Sequence, residues 1–213
     1  MARAVVDFVI TEHPRALTQA LERHYEVIRR RIQGLAGVPV RGRRYTEAAG
    51  FDGAAVVLSG SFAPWAVHDP ALIARLGDYL AGFDGAVLGI CAGMQLQAIF
   101  GGGAIGPREH PELGYGPVEI LEDGDLLHGL GPSAIAYQHH SYDVTAVPQE
   151  FVVLARSEGC AVEAIAAPDR RWWGTQFHPP RFTARHPDAA LVLRNFFALA
   201  GLETAGELRQ RES

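Results

Sequence analysis

Cysteine is scarce in this chain: 213 residues hold two, Cys91 and Cys160. Two thiols cannot staple a fold of this length, so no disulfide framework is expected and either thiol is free to be reactive. Positive charge is also in deficit. A net charge of -5 and a pI near 6.0 leave no basic field to hold a phosphate backbone, which argues against nucleic acid and against an anionic membrane surface. Long apolar runs are missing too. The apolar start is interrupted at Asp7 and too short for a signal segment, and no later stretch approaches the ~18 uncharged residues of a membrane span, so the expected compartment is the cytoplasm. Internal repeats, low-complexity linkers and composition breaks are absent. A single domain over 1–201 is therefore expected, followed by a charged tail over 202–213.

What is present is an alternation of short apolar runs with helical patterns, the signature of an α/β protein with an open, mostly parallel central sheet flanked by helices. Strands are expected at Val5–Ile10, Ala54–Ser59 and Ala86–Ile90. Shorter ones are expected at Val118–Leu121, Ala134–Tyr137, Phe151–Ala155, Val162–Ala166 and Trp172–Phe177. Helical spacing predicts helices from Pro14 to about Gly34, over Pro70–Leu80 and over Ala189–Ala200. Trp172 and Trp173, adjacent on a strand, should pack on its two faces. Cys160 reads as a small buried hydrophobe.

The segment Val87–Gly103 carries the strongest chemical signal. A buried strand runs into Gly89-Ile90-Cys91-Ala92-Gly93 and then into a helical stretch. Small residues on both sides permit the sharp strand-to-helix turn of a nucleophile elbow, here in a cysteine version, and a helix N-terminus favours the thiolate. The same pattern would suit a core thiol beside packing glycines, but the strand before and the helix after favour a nucleophile. Gly101, Gly103 and Gly106 have dinucleotide-loop spacing, yet they follow a helix and lead into an expected loop over Pro107–Gly116, so they read as a helix stop. Further on, Trp172–Phe182 ends its strand at His178, followed by Pro179 and Pro180. A histidine at a strand end can reach the sheet edge where a cysteine elbow opens, which makes a Cys91–His178 pair. His139 and His140 read as solvated loop residues, without a third ligand at recognisable spacing, and no metal or cofactor site is expected.

Together, Gly89-x-Cys91-x-Gly93-x-Gln95 and Gln176-Phe177-His178-Pro179 resemble the class I (triad-type) glutamine amidotransferase family, over about residues 5–200. The Glu109–Ile120 stretch and the Ser61–Trp65 loop resemble its guanylate-synthase-type members; Ala92 speaks against DJ-1-like proteins, which place histidine directly after the cysteine. The resemblance implies a flavodoxin-like fold and an enzyme that hydrolyses glutamine to glutamate and ammonia through a thioester on Cys91, with His178 as proton carrier. It implies oxyanion donors at the backbone N–H of Ala92 and Ser61, and glutamine contacts from Gly60, Gln95, Ser141 and Tyr142. It also implies a separate synthase protein that accepts the ammonia, for which Trp65 is a candidate docking residue, unless that ring simply packs inward. Two departures from the family pattern stand out. Pro180 occupies the place of the carboxylate that orients the histidine, leaving Glu163, Asp169 or Asp188 as spatial substitutes. Ser61 and Phe62 replace a Gly-Pro pair in the oxyanion loop, and a positive φ there would strain serine. These departures keep two alternatives open: a γ-glutamyl amide or peptide hydrolase, and a non-catalytic binding subunit on the same fold.

Overall fold

The computed structural model describes residues 4–47 and 50–202. The chain begins with β1 (Val6–Ile10), α1 (Gln19–Ala36), β2 (Val40–Arg44), β3 (Ala55–Leu58), α2 (Pro70–Ala81), β4 (Ala86–Ile90) and α3 (Ala92–Phe100). It continues with β5 (Ala104–Ile120), β6 (Ser133–Ala146), β7 (Val152–Arg156), β8 (Ala164–Ala167), β9 (Trp172–Thr175) and α4 (Asp188–Leu199). One nine-stranded sheet has the order β2-β1-β3-β4-β9-β8-β7-β5-β6. The first five strands in that order are parallel. From β9 onward every pairing is antiparallel. The sheet is thus mixed, with the parallel half carrying the crossover helices. The expected tail lies, apart from Leu202, outside the described residues.

The inner parallel strands β3, β4 and β9 are buried at every position because helices cover both faces. On one face Phe8, Val57, Leu88 and Trp173 pack under α1 and α4 through Tyr25, Ile32, Val192 and Phe196. On the other, Val9, Val56, Leu58, Val87 and Trp172 pack under α2 and α3 through Leu76, Leu80, Met94 and Leu96. Trp172 and Trp173 therefore do divide between the two faces. No described helix is long and apolar enough to cross a membrane.

Three boundaries differ from the sequence reading. Helix α1 starts at Gln19, not Pro14, because Thr18 caps it: its side-chain oxygen accepts from the Leu21 N–H at 3.3 Å. Val40–Arg44, too polar to read as a strand, pairs with β1 at the sheet margin. The expected loop over Pro107–Gly116 is strand β5, which forms a long hairpin with β6. Its prolines and glycines hide it from a reading by alternation, and Pro107 and Pro111 are tolerated because they fall at a register shift between Pro107 and Glu112. His139 to Tyr142 lie on β6 and not in a loop. Replacing Thr18 with alanine should lower stability by about 1 kcal/mol in urea titration, with an unchanged m-value.

Candidate active site

The carboxyl ends of β1, β3, β4 and β9 meet at one edge of the sheet, and the β5–β6 hairpin closes over them. Cys91 sits at the β4–α3 junction with φ 53° and ψ -109°, a conformation that L residues rarely adopt. The turn is held because the Cys91 N–H donates to the Thr175 carbonyl at 2.7 Å, while its own carbonyl starts α3 by accepting from Gln95 N at 3.0 Å. The flanking glycines are steric necessities. A Cβ on Gly93 would lie 2.7 Å from the Leu58 carbonyl oxygen, and one on Gly89 would lie 2.6 Å from the Gly93 backbone.

Cys91 Sγ and His178 Nε2 converge on one atom, the His139 carbonyl oxygen, at 3.7 and 3.4 Å. His178 is anchored by its N–H to the Tyr137 carbonyl at 2.9 Å. Gly60 is pressed between the pair: a Cβ there would meet His178 Cε1 at 3.1 Å and Cys91 Sγ at 3.8 Å. Ser61, Cys91, Ala92, Gln95, Ser141 and Tyr142 all line one cleft of about 280 Å³. Gly60 and His178 line a smaller cavity, about 30 Å³, behind it. The eight residues singled out in the sequence thus come together. Among the described residues the Ser61 N–H has no acceptor and the Ala92 N–H has none but the Cys91 sulfur, and both residues border the cleft that Cys91 lines. Ser61 is not among the positive-φ residues, so serine is unstrained there.

The Gln95 side chain is fully engaged: Nε2 donates to the Tyr142 carbonyl at 2.7 Å and to Gln176 Oε1 at 3.0 Å, and Oε1 accepts from Trp65 Nε1 at 3.2 Å. Trp65 is therefore turned inward and walls the cleft. Gln176, given no role by sequence reasoning, is fully buried and holds the Gln95 amide through its Oε1.

The electrostatics oppose a preformed ion pair. Burial pushes the Cys91 thiol up to about 12, against the Ala92 N–H and the Gln176 amide, so desolvation outweighs the helix N-terminus. Burial also pushes His178 down to about 3, against the His139 carbonyl. Both shifts favour a neutral thiol beside a neutral imidazole over the thiolate expected from the helix terminus. None of the three candidate carboxylates bonds to His178. Glu163 Oε1 accepts from Gln138 Nε2 at 2.9 Å, Asp188 Oδ2 accepts from the Ile135 N–H at 2.8 Å, and Asp169 precedes β9 at the opposite sheet edge. Pro180 itself lines the cavity beside the imidazole.

His140 is buried, contrary to its reading as a solvated residue, because the hairpin turns it inward. With Cys160 and Glu163 it forms a set whose ligating atoms lie within 4.8 Å of one another. Asp143 and Glu112 approach the His140 ring at 3.0 and 3.4 Å, and the Arg108 guanidinium pairs with both carboxylates at 2.6 and 3.4 Å. Glu163, fully buried, is pushed up from 4.5 to about 7 by desolvation.

An elbow cysteine and a strand-end histidine at the carboxyl edge of a parallel sheet place this chain among the α/β proteins built around a nucleophile elbow. The family model of the class-I glutamine amidotransferases matches residues 25–199, and the chain belongs to that family. Among curated relatives, a glutamine-hydrolyzing GMP synthase of Phenylobacterium zucineum is 40% identical over 70% of this chain and 28% of its own length. One of the subunits of the glutamine-hydrolyzing GMP synthase of Pyrococcus abyssi is 39% identical over 56% of this chain and 62% of its own. The chain thus spans less than two thirds of the relatives it matches. A candidate GMP synthase subunit from Thermoplasma acidophilum shares the fold over 100% of both chains, with a TM-score of 0.75 at 22% identity.

Two measurements follow. Alkylation of Cys91 by iodoacetamide should accelerate about tenfold per pH unit between pH 7 and 10, because the thiol stays protonated throughout; a plateau from pH 6 would contradict the neutral resting pair. The raised Glu163 pKa means the folded state holds a proton that the unfolded state has lost between about 4.5 and 7, so stability falls as pH rises through that window. Glu163→Gln should be more stable than the parent at pH 8, by on the order of 3 kcal/mol, and equal to it below pH 4.5, as read by urea titration at both values.

Proposed function

We propose that this chain is the glutaminase subunit of a two-part synthase, hydrolysing glutamine through a Cys91 thioester and handing ammonia to a separate partner protein. The observation that carries this reading is that Cys91, Ser61 and Ala92 line one cleft of about 280 Å³ while His178, on the adjoining cavity, shares the His139 carbonyl with the Cys91 sulfur. In this mechanism the Cys91 sulfur attacks the glutamine carboxamide carbon, and the thiol proton passes by way of His178 to the departing ammonia. The developing oxyanion takes the N–H groups of Ser61 and Ala92. Water then hydrolyses the thioester to glutamate, with His178 as base. Gly60, Gln95, Ser141 and Tyr142 bound the glutamine. The names of the relatives point to an acceptor of the guanylate-forming kind, and glutamine hydrolysis is the activity they print.

The unusual element is the base. A neutral ring in the observed pose carries its proton on Nε2, since the His139 carbonyl can only accept. Accepting the thiol proton at Nε2 requires the other tautomer, with the proton on Nδ1. In the resembling family a carboxylate holds that tautomer, and here Pro180 stands in its place. The chain is therefore a slow glutaminase by itself, with turnover set by the tautomer of His178.

The direct test is glutamate release from glutamine by the purified chain beside Cys91→Ala, with covalent labelling of Cys91 by 6-diazo-5-oxo-norleucine followed by mass. Labelling and turnover that both vanish in the variant are expected. Absence of both in the folded parent, alone and with a GMP-synthase-type partner, would leave a binding subunit. Turnover unaffected by any such partner would favour a γ-glutamyl amide hydrolase. Pro180→Glu should raise kcat about tenfold or more, because a charge there fixes the Nδ1–H tautomer; an unchanged kcat in a folded variant would show that imidazole orientation is not limiting.

A further inference from the structure

The acidic residue that the chemistry above leaves unused is Glu12, just past the end of β1. It is 2% exposed, and no ion pair reaches it among the described residues. Its charge is met entirely by donors. Oε1 accepts from the His13 N–H at 2.9 Å, the Ser61 hydroxyl at 3.0 Å and the Ala63 N–H at 3.1 Å. Oε2 accepts from the Phe62 N–H at 2.7 Å and the Tyr25 hydroxyl at 3.1 Å. Three of the five donors belong to consecutive residues of the oxyanion loop.

The same Tyr25 hydroxyl also donates to the Gly60 carbonyl at 3.0 Å, where Ser59 Oγ and Thr11 Oγ1 join it at 2.7 and 3.2 Å. Gly60 C=O and Ser61 N–H are the two ends of one planar peptide unit, so pinning the carbonyl inward turns the N–H outward. Glu12 grips the next peptide unit through the Phe62 N–H. Together the two clamps leave the Ser61 peptide no rotation. Phe62 is the key substitution. The resembling family has proline at this place, which has a fixed φ and no N–H to donate. Here the ring constraint is gone and a buried carboxylate holds the freed N–H instead.

We propose that Glu12 is the positioning residue of the oxyanion loop, aiming the Ser61 N–H at the oxyanion that forms on Cys91. The assignment rests on the glutaminase reading for its chemistry, but the clamp can be measured without it. Glu12→Gln keeps the side-chain shape and exchanges one acceptor oxygen for an NH₂ group that faces other donors. An oxyanion donor acts in the transition state and not on the bound amide, so kcat for glutamate release should fall about tenfold to a hundredfold while KM changes less than twofold. Alkylation of Cys91 by iodoacetamide proceeds at a tetrahedral carbon, forms no oxyanion, and should keep the parent rate. Amide hydrogen exchange at Phe62 and Ala63 should accelerate at least tenfold, with core amides unchanged. An unchanged kcat, or a parallel fall in turnover and alkylation, would overturn the proposal. If the parent releases no glutamate the glutaminase reading fails, and exchange still decides the clamp: protection kept in Glu12→Gln refutes it, and protection lost at those two amides supports it.

Discussion

Everything chemical in this molecule depends on how closely helix α3 approaches the strand beside it. Gly93 lies so near Leu58 that a single methyl group would collide with a backbone carbonyl. That contact lets the chain turn from β4 into α3 within one residue, and the residue at the turn must then take a positive φ. Strain of this kind, typically ~1–3 kcal/mol, persists only where surrounding structure over-determines it. Here the parallel ladder of β3, β4 and β9 on one side and the first turn of α3 on the other supply that structure. Cys91 is thereby lifted to the sheet edge, and its neighbour Ala92 is left with an N–H that has no helical partner.

The price of this placement is desolvation. Packing that holds the thiol and the imidazole also strips them of water, and both rest uncharged. Enzymes with a carboxylate behind the histidine bias the pair toward the reactive tautomer. This chain has proline at that position, with Glu163 and Asp188 committed to other partners and Asp169 at the opposite sheet edge. Its resting state is consequently a poised but unbiased pair, in which the His139 carbonyl engages both sulfur and ring. The loop on the other side of the cleft is the opposite case. There Glu12 and Tyr25 hold two successive peptide units, and a site weak in its base is rigid in its donors.

The chemistry-bearing residues were legible because they sit in short, local patterns. Glycines two residues to either side of Cys91 report a backbone requirement within one turn, and His178 between a strand and two prolines reports a strand end. The long β5–β6 hairpin was not legible. Pro107, Pro111, Gly114 and Pro117 interrupt any alternation, and the pairing that makes the strand lies across the sheet on residues far along the chain. His140 was misread for the same reason: beside His139 it looks equally polar, and only the pleat of β6 sends one ring to solvent and the other between Asp143 and Glu112. Glu12 carried no signal, since an isolated acid after a strand resembles any solvated turn.

By itself, then, the order of residues determined the class of fold, the family and the candidate cysteine and histidine, because elbows, strand ends and buried parallel strands are written in neighbours one to four residues apart. Only the tertiary structure decided the desolvation of the pair, the separation of His178 from Glu163, Asp169 and Asp188, and the burial of Glu12 under the loop that carries Ser61. Those depend on which groups lose water together, and water is excluded by segments that meet in space while standing tens of residues apart in the chain.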